Sequence, residues 1–158
     1  MTSPRPQTRG RLRAGLAAAI LLSTVAGCSK VPLVGGDKTV SLRVSALPKA
    51  NSCGKATGYP LTFRVIQATD ASAITGTTLA QLWDREEKLL GPAFVAKNDG
   101  VIDPGATQDF KFDRDPKAKV VVFVGNFCRT QGGCWLLVKP AGSSLKLTID
   151  ESCVIETK

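Results

Sequence analysis

From residue 39 onward the chain alternates apolar and polar positions in short stretches. In TVSLRVSAL (39–47), Val40, Leu42, Val44 and Ala46 alternate with Ser41, Arg43 and Ser45, the period-two signature of a strand with one wet face. YPLTFRVIQA (59–68) repeats the pattern with Leu61, Phe63 and Val65. The period changes to 3.6 in TTLAQLWDREEKLLG (77–91), where Leu79, Leu82, Trp83, Leu89 and Leu90 share one face and Asp84, Arg85, Glu87 and Lys88 lie largely opposite. Thr78 and Gln81 have capping-box spacing, and Gly91 with Pro92 closes the helix. DASAITG (70–76) predicts a short turn of helix ahead of it. Strands follow at 93–97, at 106–113 after the turn DPG, at 119–127, at 134–140 and at 144–156. The apolar run KVVVFVGNF predicts a strand buried on both faces. Seven short strands and one helix predict a mainly β fold, a two-sheet antiparallel β-sandwich with an inserted helical segment.

The first two strands are joined by PKANSCGKATG (48–58), richer in turn formers and longer than a tight hairpin needs. A loop of this length binds something or needs a pin, and Cys53 at its middle can supply one.

Ahead of the sandwich, residues 1–13 carry Arg5, Arg9, Arg11 and Arg13 with no acid, and Ala14 to Val25 form an apolar run too short to span a bilayer. This is the pattern of a cleaved secretory signal peptide, residues 1–27. Val25, Ala26 and Gly27 before Cys28 resemble a bacterial lipobox, which makes Cys28 the expected site of acylation, since two or more acyl chains give stable anchoring. Residues 28–38, with Pro32 and Gly35-Gly36, then read as the lipidated cysteine and a tether, and residues 39–158 as one domain. Removing the leader lowers the formal charge from +8 to +4 and takes away the main argument for nucleic acid as a partner.

Catalytic chemistry finds little support. The chain has no histidine, so no Ser-His-Asp arrangement can form and no cysteine has an imidazole to activate it. The acids Asp84, Glu86 and Glu87 read as the polar face of the helix, and Asp113 with Asp115 as a solvated turn; DFKFDRDPK lacks the spacing and glycine of a calcium loop. Cys53, Cys128, Cys134 and Cys153 remain once Cys28 is acylated. Their spacing is wider than that of a zinc site, so no metal is expected. An even count in an exported protein predicts two disulfides, with three pairings open. The expected pairs are Cys128–Cys134, closing a hairpin loop around RTQGG, and Cys53–Cys153, tying the long loop to the last strand.

The order of LTFRVIQATDASA, TLAQLW, LLG, DPG, KVVVFVGNF and CWLLVKP after an acylated cysteine resembles the type VI secretion lipoprotein family called TssJ, SciN or VasD. The chain differs from that pattern at Ala68 and Thr69 and in its four further cysteines. The resemblance implies a transthyretin-like sandwich on the periplasmic face of the outer membrane, with no enzymatic activity and no cofactor beyond the covalent lipid on Cys28. It also implies binding of the periplasmic carboxy-terminal region of the inner-membrane protein TssM through the loop that corresponds here to residues 48–60. Lys49, Asn51, Lys55 and Tyr59 are the residues expected to touch the partner. The alternative is a lipoprotein binding module for a small ligand or an inhibitor target.

Overall fold

The computed structural model describes residues 38–158; the expected leader, Cys28 and the tether up to residue 37 lie outside the described residues. The elements run β1 (Thr39–Ala46), β2 (Leu61–Ala68), a 3-10 turn (Ser72–Ile74), α1 (Leu79–Leu90), a second 3-10 turn (Gly91–Ala93), β3 (Phe94–Ile102), β4 (Thr107–Asp113), β5 (Val120–Gly125), β6 (Leu136–Pro140), β7 (Leu145–Ile149) and β8 (Val154–Glu156). Two four-stranded sheets result, ordered β4-β1-β7-β8 and β3-β2-β5-β6. All pairings are antiparallel except β1 with β7, which run parallel with Leu42 beside Leu145 and Val44 beside Leu147.

The alternating positions meet between the sheets. Val40, Leu42 and Val44 with Leu145, Leu147 and Ile149 face Leu61, Phe63, Val65, Val121 and Phe123, all essentially inaccessible. Phe63 stacks on Phe123 at 5.0 Å and meets Phe110 edge-on at 4.8 Å. Gly100 is the β3 partner of Phe63, and a Cβ there would come within 2.3 Å of the ring. As the apolar run predicts, β5 is buried on both faces from Val121 to Gly125. Gln67, also buried, joins the layers at one end of the sandwich: its Nε2 donates to the Asp113 carbonyl at 2.7 Å, and its Oε1 accepts from the Asp115 N–H at 2.9 Å.

The helix begins with the capping box expected of Thr78 and Gln81. Leu82 and Leu90 are buried, and Leu79, Trp83 and Leu89 pack partly against the core. Arg64, on the face of β2 turned away from the other sheet, holds the helix down. Its guanidinium donates to both Asp99 oxygens at 2.7 and 3.0 Å and to the Trp83 carbonyl at 2.8 Å, lies 4.4 Å from the Trp83 ring, and pairs with Glu86 at 3.1 Å.

Three expectations change. Glu86, read as solvated, is buried and also bound by Lys97 at 2.5 Å; it lies four residues after Leu82 and four before Leu90, so helical rotation puts it on their buried face, where Arg64 and Lys97 pair its charge. The strand expected at 93–97 runs on to Ile102, because Asp99 is held by Arg64 and Gly100 makes room for Phe63. The last stretch, 144–156, divides into β7 and β8 around the turn at 150–153, giving eight strands among the described residues.

Candidate functional site: the clamped loop between the first two strands

Because β1 starts next to Lys38 and ends at Ala46, the chain enters the sandwich at one end and the following loop lies at the other, about 25 Å away for eight residues of strand. That far end also collects the β3–β4 turn, the β5–β6 loop and the β7–β8 turn, since each follows a strand running the same way as β1. The loop of residues 47–60 is tied into them by its backbone. Leu47 N–H donates to Ile149 at 2.9 Å, the Leu47 carbonyl accepts from Gly105 at 3.3 Å, Asn51 N–H donates to Asp150 at 3.2 Å, and Tyr59 N–H donates to Ala50 at 3.0 Å.

Asn51 was expected at the partner surface. The structure places it inside, 6% exposed, with φ +51°. Its Oδ1 accepts from the Cys128 N–H at 2.9 Å and its Nδ2 donates to the Pro60 carbonyl at 3.2 Å. Asparagine tolerates the left-handed region better than most residues. Here that conformation turns the amide inward, so it pins the loop from within and its side chain is not presented to a partner. Ser52 beside it is also buried. Cys53 continues in the left-handed region at φ +59° and Gly54 at +79°, which reverses the chain and sends residues 55–59 outward.

The disulfides pair differently from the expectation: Cys53 with Cys128 and Cys134 with Cys153. RTQGG does lie in the loop that joins the antiparallel β5 and β6, but no Cys128–Cys134 bridge closes it. Cys128 leaves β5 toward the β1–β2 loop, drawn by the Asn51 amide. Cys134 meets the β7–β8 turn, where Val154 N–H donates to the Cys134 carbonyl at 2.8 Å. The first bridge joins the long loop to the β5–β6 loop, and the second ties that loop to the other sheet. The Arg129 guanidinium lies directly against Gly54, where a Cβ would come within 2.4 Å of Nη1.

Lys49, Lys55 and Tyr59 are exposed as expected, and Leu47 joins them at 43% exposed. Tyr59 is 38% exposed and does not pack inward; the Lys55 ammonium sits 5.3 Å from its ring centroid. The sequence carries a signal for Leu47 that the loop assignment obscures: it continues the outward series Ser41, Arg43 and Ser45. Arg129 had no local signal, since it reaches the loop only through the disulfide pairing. An aliphatic side chain, an aromatic ring and ammonium groups on a tethered backbone offer a binding surface. No nucleophile–base pair is among them.

A family model described as type VI secretion lipoprotein (VasD, EvfM, TssJ) matches residues 38–150. The chain belongs to this family. The family is one of structural membrane-complex lipoproteins and not of enzymes. No curated protein sequence matches the chain significantly. Among solved structures it is similar to Lip of Serratia marcescens, a membrane-bound component of the type VI secretion system, with TM-score 0.70 and 14% identity over 76% of this chain and 97% of that one. It is similar to the lipoprotein TssJ1 of Pseudomonas aeruginosa, with TM-score 0.65 and 19% identity over 77% and 97%. A chain in the structure of the TssM C-terminal domain (869–1107) from EAEC also matches, with TM-score 0.68 and 15% identity over 77% and 99%. At these identities the likeness establishes the shared two-sheet fold.

Proposed function

We propose that this type VI secretion lipoprotein is acylated at Cys28, held on the periplasmic face of the outer membrane, and binds the periplasmic carboxy-terminal region of a TssM-like inner-membrane protein through the loop 47–60. The observation that carries this reading is the placement of the loop. It stands at the end of the sandwich opposite the point where the chain enters from the tether, rigidly tied, with Leu47, Lys49, Lys55 and Tyr59 turned outward. A domain anchored at one end and adhesive at the other suits a link between two membranes. The EAEC match adds support, since a chain of this fold occurs in a structure described as the TssM C-terminal domain.

Titration of the anchor-free domain with the partner's periplasmic region tests the contact. Tyr59→Ala lowers affinity by about 1–2 kcal/mol if the ring is covered in the complex. Lys55→Glu acts more strongly at low salt, because a rim charge chiefly alters association. Variants that melt like the parent and bind as tightly place the contact elsewhere.

A further inference from the structure

The two bridges stand in different surroundings. Cys128 is exposed, and its partner Cys53 holds a left-handed backbone (φ +59°) that an L side chain adopts only under constraint. The Arg129 guanidinium, next in sequence to Cys128, lies against Gly54, next in sequence to Cys53, so a cation stands beside the backbone that carries this bridge. The turn that ends at Cys153 carries two acids, Asp150 and Glu151, and the Asp150 N–H donates to the Cys153 carbonyl at 2.9 Å. A cation favours a thiolate leaving group and an anion opposes one, so exchange at the first bridge is the easier of the two.

We propose that Cys53–Cys128 is a redox-addressable latch on the partner-binding loop, opened by a dithiol oxidoreductase, while Cys134–Cys153 is a permanent staple. This rests on the reading of residues 47–60 as the partner surface. In the first step a thiolate of the dithiol attacks the sulfur of Cys128, the more exposed residue of the pair, a mixed disulfide forms, and Cys53 leaves as a thiolate, with the Arg129 guanidinium on the neighbouring Gly54. The second thiol of the reductant then displaces Cys128. Two electrons and two protons pass from the dithiol to the bridge, and the reductant is left as a disulfide. With the bond gone, Cys53 relaxes from its left-handed conformation, and the segment carrying Lys55 and Tyr59 loses its fixed presentation. The latch is closed in the binding form and open in the released form.

The experiment has two arms on the full mature chain in detergent. In the first, graded dithiothreitol is followed by alkylation and peptide mapping. Cys53 and Cys128 become labelled at a reductant concentration about tenfold below that needed for Cys134 and Cys153, and Arg129→Glu narrows the gap. Both bridges opening together, or Cys134–Cys153 opening first, overturns the proposal. In the second arm the Cys53→Ser/Cys128→Ser double variant, melting cooperatively, binds the partner's periplasmic region about tenfold more weakly than the oxidised parent; equal affinity overturns the latch. A parent that does not bind at all refutes the partner assignment, a result that the labelling arm separates from failure of the latch chemistry.

Discussion

At the scale of single residues, the loop depends on small groups that fit between backbone strands. Asn51 satisfies two backbone groups across the loop while occupying a conformation few other residues accept. Asn51→Ala leaves the Cys128 N–H and the Pro60 carbonyl without this partner and adds a left-handed alanine. The variant loses about 1–3 kcal/mol, read as a lower melting temperature. Gly58 shows the same economy. A Cβ there would stand 2.6 Å from the Ala50 carbonyl oxygen and 2.7 Å from that of Pro48, both main-chain atoms that cannot rotate away. Gly58→Ala therefore forces the two sides of the loop apart, at a cost of about 1–3 kcal/mol, and denaturant melts of the oxidised protein measure it. Polar residues in a turn-rich stretch read as surface, and Asn51 shows why this misleads: the sequence places an amide in the loop but does not reveal which way a left-handed residue turns it.

Among the elements, the inserted helix is held by hydrophobic burial and by a compact ion network. Burial pushes the Glu86 carboxyl up, but the Lys97 hydrogen bond and the Arg64 and Lys97 charges outweigh it and hold the group below the usual carboxylate range. Asp99 is held low chiefly by its hydrogen bonds from Arg64. Carboxyls depressed in the folded state contribute stability above their unfolded values, and that contribution is lost as pH falls through the folded ones. The melting temperature should therefore be nearly flat from neutrality to about pH 5 and drop below about pH 4, where unfolded carboxylates begin to bind protons. Glu86→Gln should melt lower at neutral pH and show a shallower acid slope; an unchanged slope would remove Glu86 from the network's acid response. Its cost lies at or below the low end of the roughly 3–5 kcal/mol for breaking a buried pair, since Arg64 keeps Asp99 and the Trp83 carbonyl. Periodicity made most of these elements legible: β1, β2, α1 with its cap, β4 and the doubly buried β5 stand within a few residues of where the pattern puts them. It failed where tertiary contacts override composition. The strand expected at 93–97 leaves out Asn98-Asp99-Gly100, yet these residues continue it because Arg64 and Phe63 on the neighbouring strand each have a use for them.

For the molecule as a whole, what matters is which strands lie together, and strand periodicity says little about that. The parallel pairing of β1 with β7 joins segments about a hundred residues apart, and the loops gathered by this topology decide the disulfides. Cys128 and Cys134 are close in sequence, but β5 and β6 deliver them to different neighbours, Cys53 and Cys153. By chain entropy the bridges contribute at most about 4.5 kcal/mol for the 75-residue separation and about 3 for the 19-residue one. The same topology puts the entry to β1 at one end and the clamped loop at the other, which under the proposed function separates anchorage from adhesion. If the molecule is a link, these two functions fail independently. Cys28→Ser removes the acyl chains, so the protein should fractionate with the soluble periplasmic contents and secretion should stop, whereas the purified variant should bind the partner's periplasmic region with the affinity of the parent domain. Tyr59→Ala should do the reverse, staying with the outer membrane while binding weakly. Recovery of Cys28→Ser with the outer membrane would show that another feature anchors the chain, and weakened binding by that variant in solution would show that the lipidated end takes part in the contact.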